Sequence, residues 1–126
     1  MKAAPSARDL LAKTPLYGAL DAADRDAVAA EMRETRFDAG QLIFSRGDSG
    51  AETYLVAEGR VKLSILTGEG RELSFAQIGA GSLFGEIAML DGGTRTADAT
   101  AVTRVAAFLL TRGAWKRVAA ERPAVA

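Results

Sequence analysis

The chain has 126 residues, 16 of them basic and 16 acidic, with no cysteine and no histidine. That length holds one hydrophobic core, and 48% hydrophobic with 25% charged residues is a globular balance. Zero formal charge gives no electrostatic reason to bind nucleic acid or an anionic membrane, while the two missing residue types exclude disulfides, thiolate nucleophiles, zinc knuckles, iron–sulfur clusters, imidazole bases and histidine-held haem or metal.

In chain order, Lys2 is not followed by an apolar stretch of signal-peptide length. Alanines and long-chain residues from Ala7 to Lys13 predict a helix stopped by Thr14-Pro15. Asp21 reads as the N-cap of a second helix, with Asp24 at capping-box spacing and Val28 and Met32 on its apolar face. Leu16, Tyr17 and Leu20 join the two helices and pack them onto the rest of the domain. The helical segment is expected over 6–34.

After Glu34 the pattern changes. Glycines at 40, 47, 50, 59, 68, 70, 79, 81, 85, 92 and 93 punctuate short runs of Leu, Ile, Val, Phe and Thr, the mark of an all-β sandwich or barrel. Alternation is strict in Arg60-Val61-Lys62-Leu63-Ser64-Ile65. Glu58-Gly59 is expected to turn a strand over Thr53–Ala57 into this one, and Gly68-Glu69-Gly70 to turn it onto Glu72-Leu73-Ser74-Phe75. A last strand is expected from Ala106 to Thr111. The longest apolar run, Val105 to Leu110, is too short to span a bilayer, so a soluble cytoplasmic domain is the default. Strands are expected over 35–111, then a C-terminal helix within 112–121, clearest from Trp115 to Ala120 and ended near Arg122-Pro123. All of 1–126 reads as one domain.

The stretch Gly79 to Ala97 breaks the hairpin rhythm. Glu86-Ile87-Ala88-Met89-Leu90 lacks β-branched alternation and fits a single helical turn entered through Gly85 and left through Gly92-Gly93. Such a turn offers unpaired N–H groups, and a glycine there admits a ligand close to the backbone. If the loop folds back, Arg95 brings a guanidinium able to hold a phosphate through two parallel hydrogen bonds. Glu86 would then suit a sugar hydroxyl, so the set fits a ligand carrying both a phosphate and a ribose. Equally, Glu86 and Arg95 form a surface ion pair across a loop whose glycines only turn the chain.

Phe84-Gly85-Glu86-Ile87-Ala88-Met89-Leu90 followed by Arg95-Thr96-Ala97 resembles the phosphate-binding cassette of cyclic nucleotide-binding domains. The resemblance extends over nearly the whole chain. It includes Leu10-Leu11, Pro15-Leu16-Tyr17 and Leu20 in the helical segment. In the strands it includes Gly40, Ile43-Phe44, Gly47-Asp48, Tyr54-Leu55-Val56, Gly59-Arg60-Val61-Lys62 and Gly81. In tone it is most similar to sensor domains of Crp/Fnr-type bacterial transcription regulators. The iron–sulfur and haem branches of that superfamily need the cysteines and histidine that are missing here.

This resemblance implies a mainly β fold: a double-stranded β-helix, or jelly-roll-like β-roll, with N-terminal helices, a one-turn cassette helix and a short C-terminal helix. It implies that Arg95 pairs with the cyclic phosphate and Glu86 with the ribose 2′-hydroxyl. Backbone from Gly85 through Ile87 to Ala88 and the Thr96 hydroxyl would complete the phosphate shell, with Val61, Phe75 and Ala76 at the base. The implied function is a non-enzymatic sensor that binds cAMP in preference to cGMP, needs no cofactor or metal, and signals through its flanking helices. A homodimer is an allowed assembly. The alternative is an interaction or dimerisation module with a vestigial pocket. Because Ala126 falls about where the family's long helix would begin, the expectation is a fragment of a regulator or a stand-alone domain. No DNA-binding domain is expected in these residues; DNA becomes a partner if a helix-turn-helix follows in a longer protein.

Overall fold

Polar-capped helical segments flank a long glycine-punctuated β region, and the computed structural model, which describes residues 6–14, 17–85 and 93–125, folds them accordingly. Helices α1 (Ala7–Leu11) and α2 (Ala22–Glu31) precede strands β1 (Arg33–Phe37), β2 (Leu42–Phe44), β3 (Glu52–Glu58), β4 (Val61–Leu66), β5 (Glu72–Ile78), β6 (Leu83–Phe84), β7 (Asp98–Ala101) and β8 (Val105–Thr111). Helix α3 (Arg112–Glu121) and a 3₁₀ turn over Pro123–Val125 follow. The strands form two antiparallel sheets, ordered β1-β8-β3-β6 and β2-β7-β4-β5. This is the mainly β, two-sheet architecture expected of the chain.

Two cores share the first sheet. Tyr54 and Val56 of β3, with Val105 and Ala107 of β8, face the second sheet and pack on Val61, Phe84, Ala99 and Ala101. Their neighbours Leu55, Ala57, Ala106 and Leu110 point the other way, onto Leu10, Leu11, Tyr17 and Val28 of the helical layer and Ala114 and Val118 of α3. Burial on both faces explains why β3 and β8 are continuous apolar runs. Full burial of side chains such as Leu55 and Leu110 is worth about 1.5–3 kcal/mol each.

Helix ends depart from expectation. Ser6 caps α1, its hydroxyl accepting the Asp9 N–H at 3.2 Å. The helix ends at Leu11, not Lys13, because Thr14 turns back and donates its hydroxyl to the Leu11 carbonyl at 2.8 Å. Asp21 does occupy the N-cap position of α2 but makes no side-chain cap. Asp24 is not in a capping box; it pairs with Arg122 at 3.0 Å, and Glu31 pairs with Arg117 at 3.3 Å. These two ion pairs fasten α2 to the C-terminal helix. Helix α3 starts at Arg112, ahead of Trp115, because the Thr111 hydroxyl accepts the Ala114 N–H at 3.1 Å.

Strand details also differ. β1 starts at Arg33, inside the expected helical segment, because Arg33 and Glu34 find ladder partners in Leu109 and Phe108. Glu58-Gly59 is not a hairpin turn: β3 pairs with β6 and β8, β4 with β5 and β7, so the chain crosses between sheets there. The β4–β5 hairpin forms as expected, but its register slips between Leu63↔Ala76 and Ser64↔Ser74, leaving Phe75 as the extra residue of a bulge. Alternation along β4 therefore breaks, and Ser64 rather than Ile65 is the buried one.

The sheet crossing requires glycine. Gly59 has φ +91°, and a Cβ there would lie 2.1 Å from the Arg104 carbonyl oxygen. Gly59→Ala is expected to cost about 2–4 kcal/mol, combining the left-handed penalty with a backbone clash. Gly40 has φ +84° but open space around it, so Gly40→Ala should cost only about 1 kcal/mol. Urea denaturation of both variants measures the difference; equal losses would show that the Arg104 contact does not set the crossing.

Candidate functional site

The turn over residues 45–50 fixes the backbone of the cassette arginine. Ser49 bridges Thr94, the Arg95 N–H donates to the Asp48 carbonyl at 2.8 Å, and the Gly47 N–H donates to the Arg95 carbonyl at 2.8 Å. The turn is itself closed by Asp48, whose carboxylate accepts the Ser45 N–H at 2.9 Å. Stitched in this way, Arg95 directs its side chain into the protein and is only 3% exposed.

Its guanidinium meets backbone acceptors there. Nη1 donates to the Gly85 carbonyl at 2.8 Å and Nη2 to the Glu52 carbonyl at 2.6 Å. The Glu52 carboxylate lies 3.6 Å from Nη2, and the Phe44 ring sits beneath the group at 4.0 Å. Phe44 belongs to an aromatic cluster in which Tyr54 stacks on Phe84 at 5.0 Å. Burial pulls Arg95 below the ordinary arginine range, opposed by Tyr54, Glu52 and Asp48, while Arg112 adds to the lowering. Burial also raises the Tyr54 hydroxyl, with Glu52 adding to the effect. Arg95 Nε is buried with no hydrogen-bond partner among the described residues, a charged donor that those residues leave unused.

Beside this group opens a cavity of about 240 Å³. Leu63, Phe75, Ile78 and Leu83 line it with Phe44 and Phe84, together with Gly85, Arg95, Thr96 and Ala97. An apolar lining that includes a cation suits an amphipathic anion, with a flat apolar part against the apolar side chains and a negative group near the arginine. Among the described residues no cluster of carboxylates is arranged to hold a metal ion.

The cavity brings together Gly85, Arg95, Thr96 and Phe75 of the expected site residues. Phe75 reaches it as the bulged residue of β5, with 57% of its surface exposed. Val61 is buried between the sheets and Ala76 lies on β5 away from the lining; Leu63 and Ile78 take the wall instead. Glu86, Ile87 and Ala88, and the one-turn helix expected over Glu86–Leu90, lie outside the described residues. Gly85 has a structural reason of its own. At φ +82°, a Cβ there would fall 2.5 Å from Arg95 Nη1, so the glycine is what lets the guanidinium reach the backbone.

Sequence reasoning missed Phe44 and Glu52 as site residues. Phe44 stood in an apolar triplet with nothing to mark it as the arginine's platform. Glu52 contributes mainly a carbonyl oxygen, which every residue has.

This chain belongs to the cyclic nucleotide-binding domain family, whose model matches residues 34–122. It is 28% identical over 117 residues to the CRP-like cAMP-activated global transcriptional regulator of Mycobacterium tuberculosis, covering 93% of this chain and 52% of that protein. It is 38% identical over 89 residues to the cyclic AMP receptor protein of Thermus thermophilus, covering 71% of this chain and 41% of that one. The chain thus spans about half the length of these relatives. Its fold matches the N-terminal domain of a transcriptional regulator from Streptomyces coelicolor A3(2) with a TM-score of 0.87 at 38% identity, over 93% of this chain and 84% of that chain.

The contact between Gly85 and Arg95 yields a coupled prediction. Gly85→Ala should cost about 2 kcal/mol or more through strain and displacement of the guanidinium, and Arg95→Ala about 2–4 kcal/mol through orphaned carbonyls and lost packing. The double variant should lose less than their sum, since the clash has no partner once the arginine is gone. Strict additivity in a denaturation cycle would contradict this account of Gly85.

Proposed function

We propose that the chain is a cAMP-sensing domain whose ligand places its cyclic phosphate at Arg95 and its base against the cavity wall. The observation that carries this is the buried Arg95 guanidinium, its Nε without a partner among the described residues, in the lining of a largely apolar cavity. In this reading the Thr96 hydroxyl and the backbone from Gly85 through Ile87 to Ala88 assist at the phosphate, Glu86 takes the ribose hydroxyl, and Phe75 meets the base. The names of the two relatives favour cAMP over cGMP. A nucleotide adds charge-assisted hydrogen bonds to a guanidinium already desolvated by the fold, so less of the binding energy goes into ordering it.

Coupling to the helices would run through β3. Arg112, the first residue of α3, donates its backbone N–H to the Ala51 carbonyl at 2.7 Å and Nη2 to the Gly50 carbonyl at 3.1 Å. The next carbonyl along the chain, Glu52, is the one that holds Arg95. A phosphate that draws Arg95 outward would loosen this strand end and shift α3, with α2 following through its ion pairs. The ligand acts by preferring one helix arrangement over the other. In a longer protein the signal would reach a DNA-binding half, and the helical layer would serve a homodimer.

Titration calorimetry with cAMP and cGMP tests the reading. We expect saturable binding of cAMP, weaker binding of cGMP, and at least about tenfold loss in Arg95→Lys, which keeps the charge but not the fork. Hydrogen exchange should change in α3 on adding cAMP. No heat and no thermal shift with either nucleotide at millimolar concentration would sink the proposal.

A further inference from the structure

We propose that Glu52 is the affinity-setting residue of this site: its carboxylate is a resident counter-ion of Arg95, and an incoming cyclic phosphate must outcompete it. The inference rests on the nucleotide reading above and goes beyond it by assigning a role to a residue outside the cassette.

Geometry separates what orients Arg95 from what neutralises it. Both Nη atoms are held by main-chain oxygens, of Gly85 at 2.8 Å and of Glu52 at 2.6 Å, and the plane of the group rests on Phe44. The Glu52 carboxylate stands at 3.6 Å, beyond a good hydrogen bond, so it supplies charge rather than direction. The Arg95 side chain is 2% exposed while that of Glu52 is 38% exposed. The cation is dry and its partner sits at the water's edge. Such a pair attracts more strongly than a surface pair, and the carboxylate can return to water when displaced.

The surrounding charges sharpen the point. Among the described residues, Asp48, Glu52 and Arg112 are charged neighbours felt by Arg95. A singly charged phosphate brings negative charge to this group, and Glu52 is the acid ion-paired to the binding guanidinium. Removing its charge while keeping its backbone carbonyl should therefore favour the ligand.

Calorimetric titration of cAMP against the wild-type chain, Glu52→Gln and Glu52→Met at low and at high salt tests this. Both variants keep the carbonyl that orients Arg95. Both should bind cAMP about fivefold more tightly at low salt, and the gain should shrink as salt screens the displaced charge. Unchanged or weaker affinity in both, or a gain indifferent to salt, would overturn the role of Glu52 while leaving the nucleotide reading intact. Absence of wild-type binding to either nucleotide would instead overturn that reading, and this inference with it.

Discussion

A guanidinium stripped of water must find acceptors inside the protein or it will not stay buried, and the site is organised around meeting that demand for Arg95. Its acceptors come from two segments distant in sequence, the first residue of β3 and the glycine after β6. Neither could serve alone. The Gly85 carbonyl is reachable only because no Cβ intervenes, and the Glu52 carbonyl is free to turn toward the arginine because it sits at the end of the β3–β8 ladder. The aromatic stack under the group gives the third support, contributing where hydrogen bonds cannot, on the face of the cation.

This arrangement places the site at a junction between the two halves of the molecule. β3 is buried on both faces, by the second sheet through Tyr54 and Val56 and by the helical layer through Leu55 and Ala57. Its N-terminal end touches Arg95 on one side, and the residues just before it carry Arg112 of α3 on the other. A close-packed interior is little compressible and transmits strain. Two ion pairs join α2 to the C-terminal helix, so under the proposed coupling the helices would move together.

How much of this could be read in advance depends on whether a feature has a side-chain signature. Glycine spacing and apolar runs signalled the two-sheet fold, while Gly85, Arg95 and Thr96 stood out through the resemblance to the family's cassette, since their spacing alone left a surface ion pair open. The crossing at Gly59 did not, since a glycine after a strand looks the same whether the next strand pairs with it or joins the opposite sheet. Nor did the bulge at Phe75: a strict alternation in β4 carries no sign of a slip in its partner, and Ser64 rather than Ile65 ends up buried. Asp24 matched a capping box locally, yet its contact is with Arg122, 98 residues away. Tertiary partners overrode the local pattern each time.

The zero net charge takes on a different meaning beside the buried arginine. A protein that recruits an anion through a basic surface gains encounter rate from its long-range field and loses it as salt rises. A neutral chain has no such overall field. In the proposed reading, selection for a phosphate would come at short range, from the Arg95 cation whose water was removed when the domain folded and whose charge is only partly answered by a half-exposed carboxylate. That places recognition in the strength of a few desolvated contacts. It also makes the residues that balance Arg95 as consequential for affinity as those that would touch the ligand.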